Sequence, residues 1–298
     1  MSQAIYYGTC IQYMLLFYMP HAEDIGKAHL IREHNEGGSM EELLQVKDLR
    51  KTFTLSAKQQ KIEKTREKVK VAVDGLSFTA YKGEVFGLLG PNGAGKTTTL
   101  RMLATLIKPD SGDAIMDGSS IVKQPEEVRG KIGFLTSELK LEEFFTPNYL
   151  FDFFAKLYGV APEKIAERKK LLFGRFGIDR FAEMKVGNLS TGMKQKVSLV
   201  VSLVHDPDIV IFDEPTNGLD VLTAKVVTDF LLDLKAQGKT ILVSTHIFSL
   251  IEKICDRVGI VINGKMVVCD TLQNLCGDKD LEERFFEIYE ERVGRIDE

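Results

Sequence analysis

The sequence has no uninterrupted apolar run near the ~20 residues that a membrane-spanning helix needs. It is therefore not expected to cross a bilayer alone, and any membrane role calls for a partner chain. It has no excess of positive charge: Lys and Arg number 39 against 43 Asp and Glu, a net charge of −4, which sets aside a basic nucleic-acid binder. Tryptophan is absent, and the four cysteines, Cys10, Cys255, Cys269 and Cys276, form no CxxC pair and no metal-ligand spacing, so reduced thiols in the cytosol are expected. The chain also lacks an internal repeat, a low-complexity linker, and the early basic residues and small-residue cleavage site of a secretory leader. What remains is a globular balance over 298 residues, 44% hydrophobic and 28% charged, which excludes collagen-like and disordered chains and fits one large or two small domains.

Residues 1–39 stand apart from the rest. They join a sticky patch, 5–19, to a polar run with His21, His29 and His34, which have no carboxylate or cysteine framework and read as a solvated tail rather than a metal site. Met40 precedes the first strand pattern, and Glu36-Gly37-Gly38-Ser39 can be encoded by a string containing a ribosome-binding sequence. The extension is therefore expected to be upstream sequence translated from a misassigned start, or a disordered tail.

From Glu42 onward, strand and helix patterns alternate. Residues 43–49 and 71–80 alternate apolar and polar positions as half-buried strands do, and 85–89 is a more apolar strand. Between the first two lies a basic stretch, 56–70, which reads as a solvated hairpin extension rather than a phosphate or lipid contact. Short β-branched runs at 209–212 and 240–244, flanked by helical stretches, imply a largely parallel sheet. Asn263-Gly264 marks a late hairpin, and a helix is expected over 281–292 in an acidic tail.

Gly90-Pro91-Asn92-Gly93-Ala94-Gly95-Lys96-Thr97 fits GxxxxGK[ST] and stands between a buried strand and a helical run, 98–106, that opens with Thr98. Glycines there let successive N–H groups turn inward onto phosphate oxygens, and the helix start adds its positive end. Lys96 is placed to reach the β and γ phosphates of a nucleotide, and the Thr97 hydroxyl to bind Mg²⁺. In Asp208-Ile209-Val210-Ile211-Phe212-Asp213-Glu214, four apolar residues deliver two acids to a sheet edge. Asp213 suits Mg²⁺, and Glu214 suits polarising the water that attacks the γ phosphate. His246, ending the strand 240–245, is expected beside them, bonding the γ phosphate or that water.

These motifs alone leave a kinase, a GTPase and a motor open. Leu189-Ser190-Thr191-Gly192-Met193-Lys194-Gln195 decides among them. It resembles the signature motif of ABC ATPases, while Asp213-Glu214-Pro215-Thr216-Asn217-Gly218-Leu219-Asp220 resembles that family's Walker B and D-loop, and Ser244-Thr245-His246 its switch histidine. The resemblance implies an α/β fold: a P-loop NTPase of the ABC type with a RecA-like core, an antiparallel β subdomain and an α-helical subdomain. It covers roughly 40–270, with the helical subdomain at about 138–190 and an acidic helical tail at 271–298.

The same resemblance implies ATP hydrolysis at the interface of two copies, closed head to tail, with Ser190, Gly192 and Asp220 completing the twin's site. Phe53 is the candidate for stacking on adenine, with an ordinary strand-end core aromatic as the alternative. The family's Q-loop glutamine is missing from Gly133-Phe134-Leu135-Thr136-Ser137-Glu138; Ser137 takes its place as a candidate Mg²⁺ contact, with Glu138 next to it. Phe144, Phe145, Tyr149, Phe151, Phe153, Phe154 and Tyr158 crowd the helical subdomain, where the family receives its membrane subunit.

The chain as a whole is similar to ATP-binding subunits of bacterial exporters with a separate permease, and its phrases around 133–138, 144–147 and 189–193 to the sodium-extruding type. A peripheral place on the cytoplasmic face of the membrane follows, with a permease partner and no nucleic acid. The alternative is a soluble ABC ATPase acting on ribosomes or DNA. Such proteins usually carry two cassettes or a long coiled-coil insertion, and neither is present.

Overall fold

The computed structural model describes residues 41–62, 64–136 and 141–294. The extension at 1–39 with its histidines, Cys10, and Ser137 and Glu138 lie outside the described residues. In chain order the elements are β1 (Glu42–Thr54), α1 (Ala57–Ile62), β2 (Val69–Tyr81), β3 (Val85–Leu89), α2 (Lys96–Leu103), β4 (Ser111–Met116), β5 (Ser119–Ser120), α3 (Pro125–Lys131) and β6 (Ile132–Thr136). There follow α4 (Pro147–Leu157), α5 (Pro162–Phe176), α6 (Thr191–Ser202), β7 (Ile209–Asp213), α7 (Val221–Ala236), β8 (Thr240–Thr245), α8 (Phe248–Ile254), β9 (Arg257–Ile262), β10 (Lys265–Thr271), α9 (Leu272–Cys276) and α10 (Leu281–Val293).

Two sheets result. One has four strands in the order β2-β1-β4-β5, all paired antiparallel. The other has six in the order β10-β9-β3-β8-β7-β6, parallel except for β10, which returns through the expected turn at Asn263 and Gly264. Strands β3, β6, β7 and β8 are buried along their whole length. Alternate residues serve two cores, as the strand period of two requires. Phe86, Leu88, Ile209 and Ile211 face the antiparallel sheet and α2, whereas Val85, Leu89, Val210 and Phe212 face the helices of the opposite layer.

The structure lengthens two of the sequence-derived elements and shifts a third. β1 and β2 run 13 residues each, beyond 43–49 and 71–80, because their outer halves are held by cross-strand pairing rather than burial: Thr54 is in register with Val69, which is half exposed. Helix α2 opens at Lys96 rather than Thr98 and closes at Leu103, short of the expected 106. The basic stretch is no plain hairpin, since it folds a turn of helix, α1.

In the helical layer, α4 and α5 both begin at proline, whose missing N–H costs nothing there. Phe151 packs edge-on against Phe173 at 5.5 Å, and α6 lies against α4, α5 and β6. The aromatic crowd divides: Phe151 and Phe154 are core, while Phe145, Tyr149 and Phe153 stack in a row on the outer face with centroids 4.5 and 6.1 Å apart. The C-terminal α10 is docked, with Leu281, Phe285 and Ile288 buried and Phe285 against Phe248 of α8.

Candidate functional site

The glycine loop is clamped between the two sheets. A Cβ on Gly90 would lie 2.2 Å from the Val261 carbonyl oxygen, and one on Gly95, whose φ is +105°, 2.4 Å from that of Ala72. Only glycine fits so close to two backbones. The β9–β10 turn stitches the clamp shut: Gly264 N–H donates to Ala94 O and Asp74 N–H to Gly264 O, both at 2.9 Å. Asn92 and Gly93 stay exposed at the mouth, with Pro91 partly covered beside them and Ala94 buried behind. No side chain caps α2, so its first-turn N–H groups, with Thr97 and Thr98 partly accessible, remain for an anion.

Lys96 is buried and its ammonium donates to Gly90 O at 2.7 Å and Pro91 O at 3.2 Å. Burial pulls its pKa below the usual lysine value, against the opposing pull of Glu214 and Asp213. Glu214 Oε1 stands 3.7 Å from that ammonium.

Asp213 is the hub. Parallel register sets Thr136, Asp213 and Ser244 in one row at the carboxyl ends of β6, β7 and β8. Ser244 Oγ donates to Asp213 Oδ1 at 2.5 Å, Thr97 Oγ1 to the same oxygen at 3.0 Å, and Thr136 Oγ1 more distantly to Oδ2 at 3.5 Å. The next residue turns sharply. Glu214 has φ of +53°, a left-handed conformation that costs on the order of 1 kcal/mol in a non-glycine residue. The Ser244 carbonyl and hydroxyl, 3.1 and 3.3 Å from its N–H, hold it there. His246 Nδ1 stands 3.0 Å from Glu214 Oε2 but off the line a hydrogen bond needs, leaving that buried oxygen without a hydrogen-bond partner. The imidazole itself is exposed, so the unfilled lone pair lies beside an opening to solvent.

The donor set suits Mg²⁺. Carboxylate and hydroxyl oxygens from Asp213 and Thr97 are hard ligands of the kind that ion takes together with phosphate oxygens and water. Among the described residues no three His, Cys, Asp or Glu side chains gather to hold a metal by themselves.

Lys96, Thr97, Asp213, Glu214 and His246 are thus brought together, and Ser190, Gly192 and Asp220 form a separate group. Ser190 caps α6, its exposed hydroxyl accepting Met193 N–H at 3.3 Å. A Cβ on Gly192 would lie 3.8 Å from Asp220 Oδ2. Asp220 caps α7, accepting Leu222 and Thr223 N–H at 3.0 Å and the Thr223 hydroxyl at 2.7 Å, bonds that hold its carboxyl below the usual range, the hydroxyl most. Beside it Val221 and Leu222 are 85% and 77% exposed. No hydrogen bond or ion pair joins this group to the glycine loop within the chain among the described residues. Phe53 is 39% exposed near the free end of the β1–β2 hairpin, which sets aside the core-aromatic alternative.

Two contributions escape sequence reasoning. The Ser244 hydroxyl bonds both Asp213 and the Glu214 turn, a role visible only once β7 and β8 are paired. The backbone clamp from Ala72, Val261 and Gly264 leaves no side-chain signal at all.

A model of the ABC transporter family matches residues 73–217. The ABC transporter ATP-binding protein NatA of Bacillus subtilis (strain 168) is 42% identical over 211 residues, 70% of this chain and 86% of that protein. The Nod factor export ATP-binding protein I of Burkholderia lata is 38% identical over 198 residues, 66% and 65% of the two chains. Among solved structures, the dimeric MJ0796, a bacterial ABC transporter cassette, superposes with a TM-score of 0.67 at 25% identity, over 77% of this chain and 99% of that one. With the glycine loop and acid pair inside the matched span, the chain belongs to the ABC transporter family as an ATP-binding subunit and is an ATPase.

Proposed function

We propose that this chain powers an exporter whose permease is a separate polypeptide, at the cytoplasmic face of the membrane, as a homodimer with two ATP molecules between its copies. The linked set Lys96, Thr97, Asp213, Glu214 and His246 at one sheet edge carries this reading. The loop 90–95 and Thr98 cradle the phosphates, and Lys96 shifts from the Gly90 and Pro91 carbonyls to the β and γ oxygens. Thr97 and Asp213, with Ser137 by the expected Q-loop contact, would hold Mg²⁺, which would supply charge neutralisation at the phosphate oxygens. Glu214 accepts the proton of the attacking water through its unpartnered oxygen, and His246 positions that water.

Ser190, Gly192 and Asp220 serve the twin's nucleotide, because Ser190 and Asp220 are exposed helix caps and Gly192 is partly exposed beside them, on a face with no link to their own loop. The dimeric state of the MJ0796 cassette supports this arrangement. Phe53 stacks on adenine. The row Phe145, Tyr149 and Phe153 receives a helix of the permease, an exposed aromatic ladder being poor surface to leave in water. Sodium ion is the cargo, on the resemblance of 133–138, 144–147 and 189–193 to the sodium-extruding type. Reconstitution with the permease expected from an adjacent gene should give ATP-dependent sodium efflux in vesicles. ATP turnover indifferent to that permease, with no ion moved, would overturn the reading.

A further inference from the structure

The segment 56–70 is used by none of these roles. It carries six basic residues, Lys58, Lys61, Lys64, Arg66, Lys68 and Lys70, against Glu63 and Glu67, a local charge of +4 in a chain whose net charge is −4. The segment is a built one. Leu55 is buried at its root and its N–H donates to Lys68 O at 2.8 Å. Gln59 Oε1 accepts from Ser56 N–H and Oγ, and Gln60 Nε2 ties the returning strand at Glu67 O, 2.8 Å away.

On α1, Lys58, Lys61 and Ile62 follow the spacing i, i+3, i+4 and so share one face. Ile62 is 69% exposed, and on the returning β2 Val69 and Val71 are exposed at 50% and 53%. Lys58, Lys61, Lys64, Arg66 and Lys68 form no ion pair among the described residues. A binder of single-stranded nucleic acid would interleave aromatic rings with such cations, and none lies within 56–70. Cations mixed with aliphatic tips suit the boundary between lipid headgroups and acyl chains, where charge steers and apolar side chains seat.

We propose that this hairpin extension docks the chain on anionic phospholipid, with Lys58, Lys61, Lys64, Arg66 and Lys68 at the headgroups and Ile62, Val69 and Val71 at the acyl boundary. The proposal rests on the membrane-peripheral reading, but its binding readout uses neither permease nor hydrolysis, and ATP turnover enters only as a control for folding. The purified full chain is sedimented with phosphatidylcholine vesicles, plain or with about one part in four phosphatidylglycerol. The anionic vesicles should bind about ten-fold tighter or better, and high salt should erase the difference.

The variant K58Q/K61Q/K64Q/R66Q/K68Q should lose that preference while its ATP turnover, which also reports folding, is kept. Ile62→Ser should weaken binding to anionic vesicles about three-fold with the salt dependence intact. Equal binding to both vesicles, or an unchanged preference in the five-fold variant, overturns the proposal. So does preferential capture of duplex RNA by the wild-type chain, or a vesicle-free, salt-sensitive self-association that the variant abolishes.

Discussion

The edge around Asp213 and the face around Ser190 are made from similar residues, a capped or uncapped helix start, an acid and hydroxyls, yet they are finished to different degrees. At the first, Asp213 is 2% exposed and surrounded by Ser244, Thr97 and Thr136, and Lys96 is already bonded to two carbonyls. At the second, the Ser190 hydroxyl faces water and Val221 and Leu222 lie almost bare. Burying charge demands partners from the same chain, whereas an open face waits for them from outside. The difference teaches that preorganisation here is local to the Asp213 edge, and an open Ser190 face is what the proposed role at a second copy asks for.

Substitutions at the two places should separate the halves. The largest effect is expected from Glu214→Gln, which keeps shape and removes the proton acceptor: turnover should fall by about 10³-fold while ATP still binds and light scattering shows a persistent ATP-dependent dimer. Undiminished turnover in a monomer would break the comparison at its root. Lys96→Ala should next cost about 100-fold in ATP affinity, the scale of lost charge-assisted hydrogen bonds, read by titration calorimetry.

Ser190→Ala sharpens the contrast: turnover should drop about ten-fold with single-chain ATP affinity unchanged, and the lost cap should cost only about 1 kcal/mol of stability by denaturant melt. A matching loss of monomer affinity would mean the two groups act in one chain after all. The smallest effect belongs to Phe53→Ala, a loss of about three- to ten-fold in ATP affinity with no change in Tm, since its ring is not core.

Much of this was legible in the residues, and unevenly so. The parallel strands could be read because burial on both faces leaves continuous apolar runs, as in Ile209–Asp213. The outer halves of β1 and β2 could not, because neither face there is buried and the alternation fades. Helical phase sorts Phe151 and Phe154 inward from Tyr149 and Phe153 only when the position of the neighbouring α5 is known. His205 gave no signal. Its ring stacks on Tyr158 at 3.9 Å and reaches the Ile132 carbonyl at 3.1 Å, 73 residues away, and burial pushes its pKa down to about 4. The acids, the lysine and the histidine of the candidate site were legible from motif and strand placement; the backbone clamp that aims them was not, since carbonyls carry no sequence identity.

Lys96 folded onto the Gly90 and Pro91 carbonyls is a placeholder. An arriving triphosphate swaps one set of oxygens for another around the same ammonium, so much of that contact is an exchange and not a gain. The ammonium is thus aimed by the same turn of backbone that is shaped to take the phosphates, so one short loop both orients the charge and competes for it.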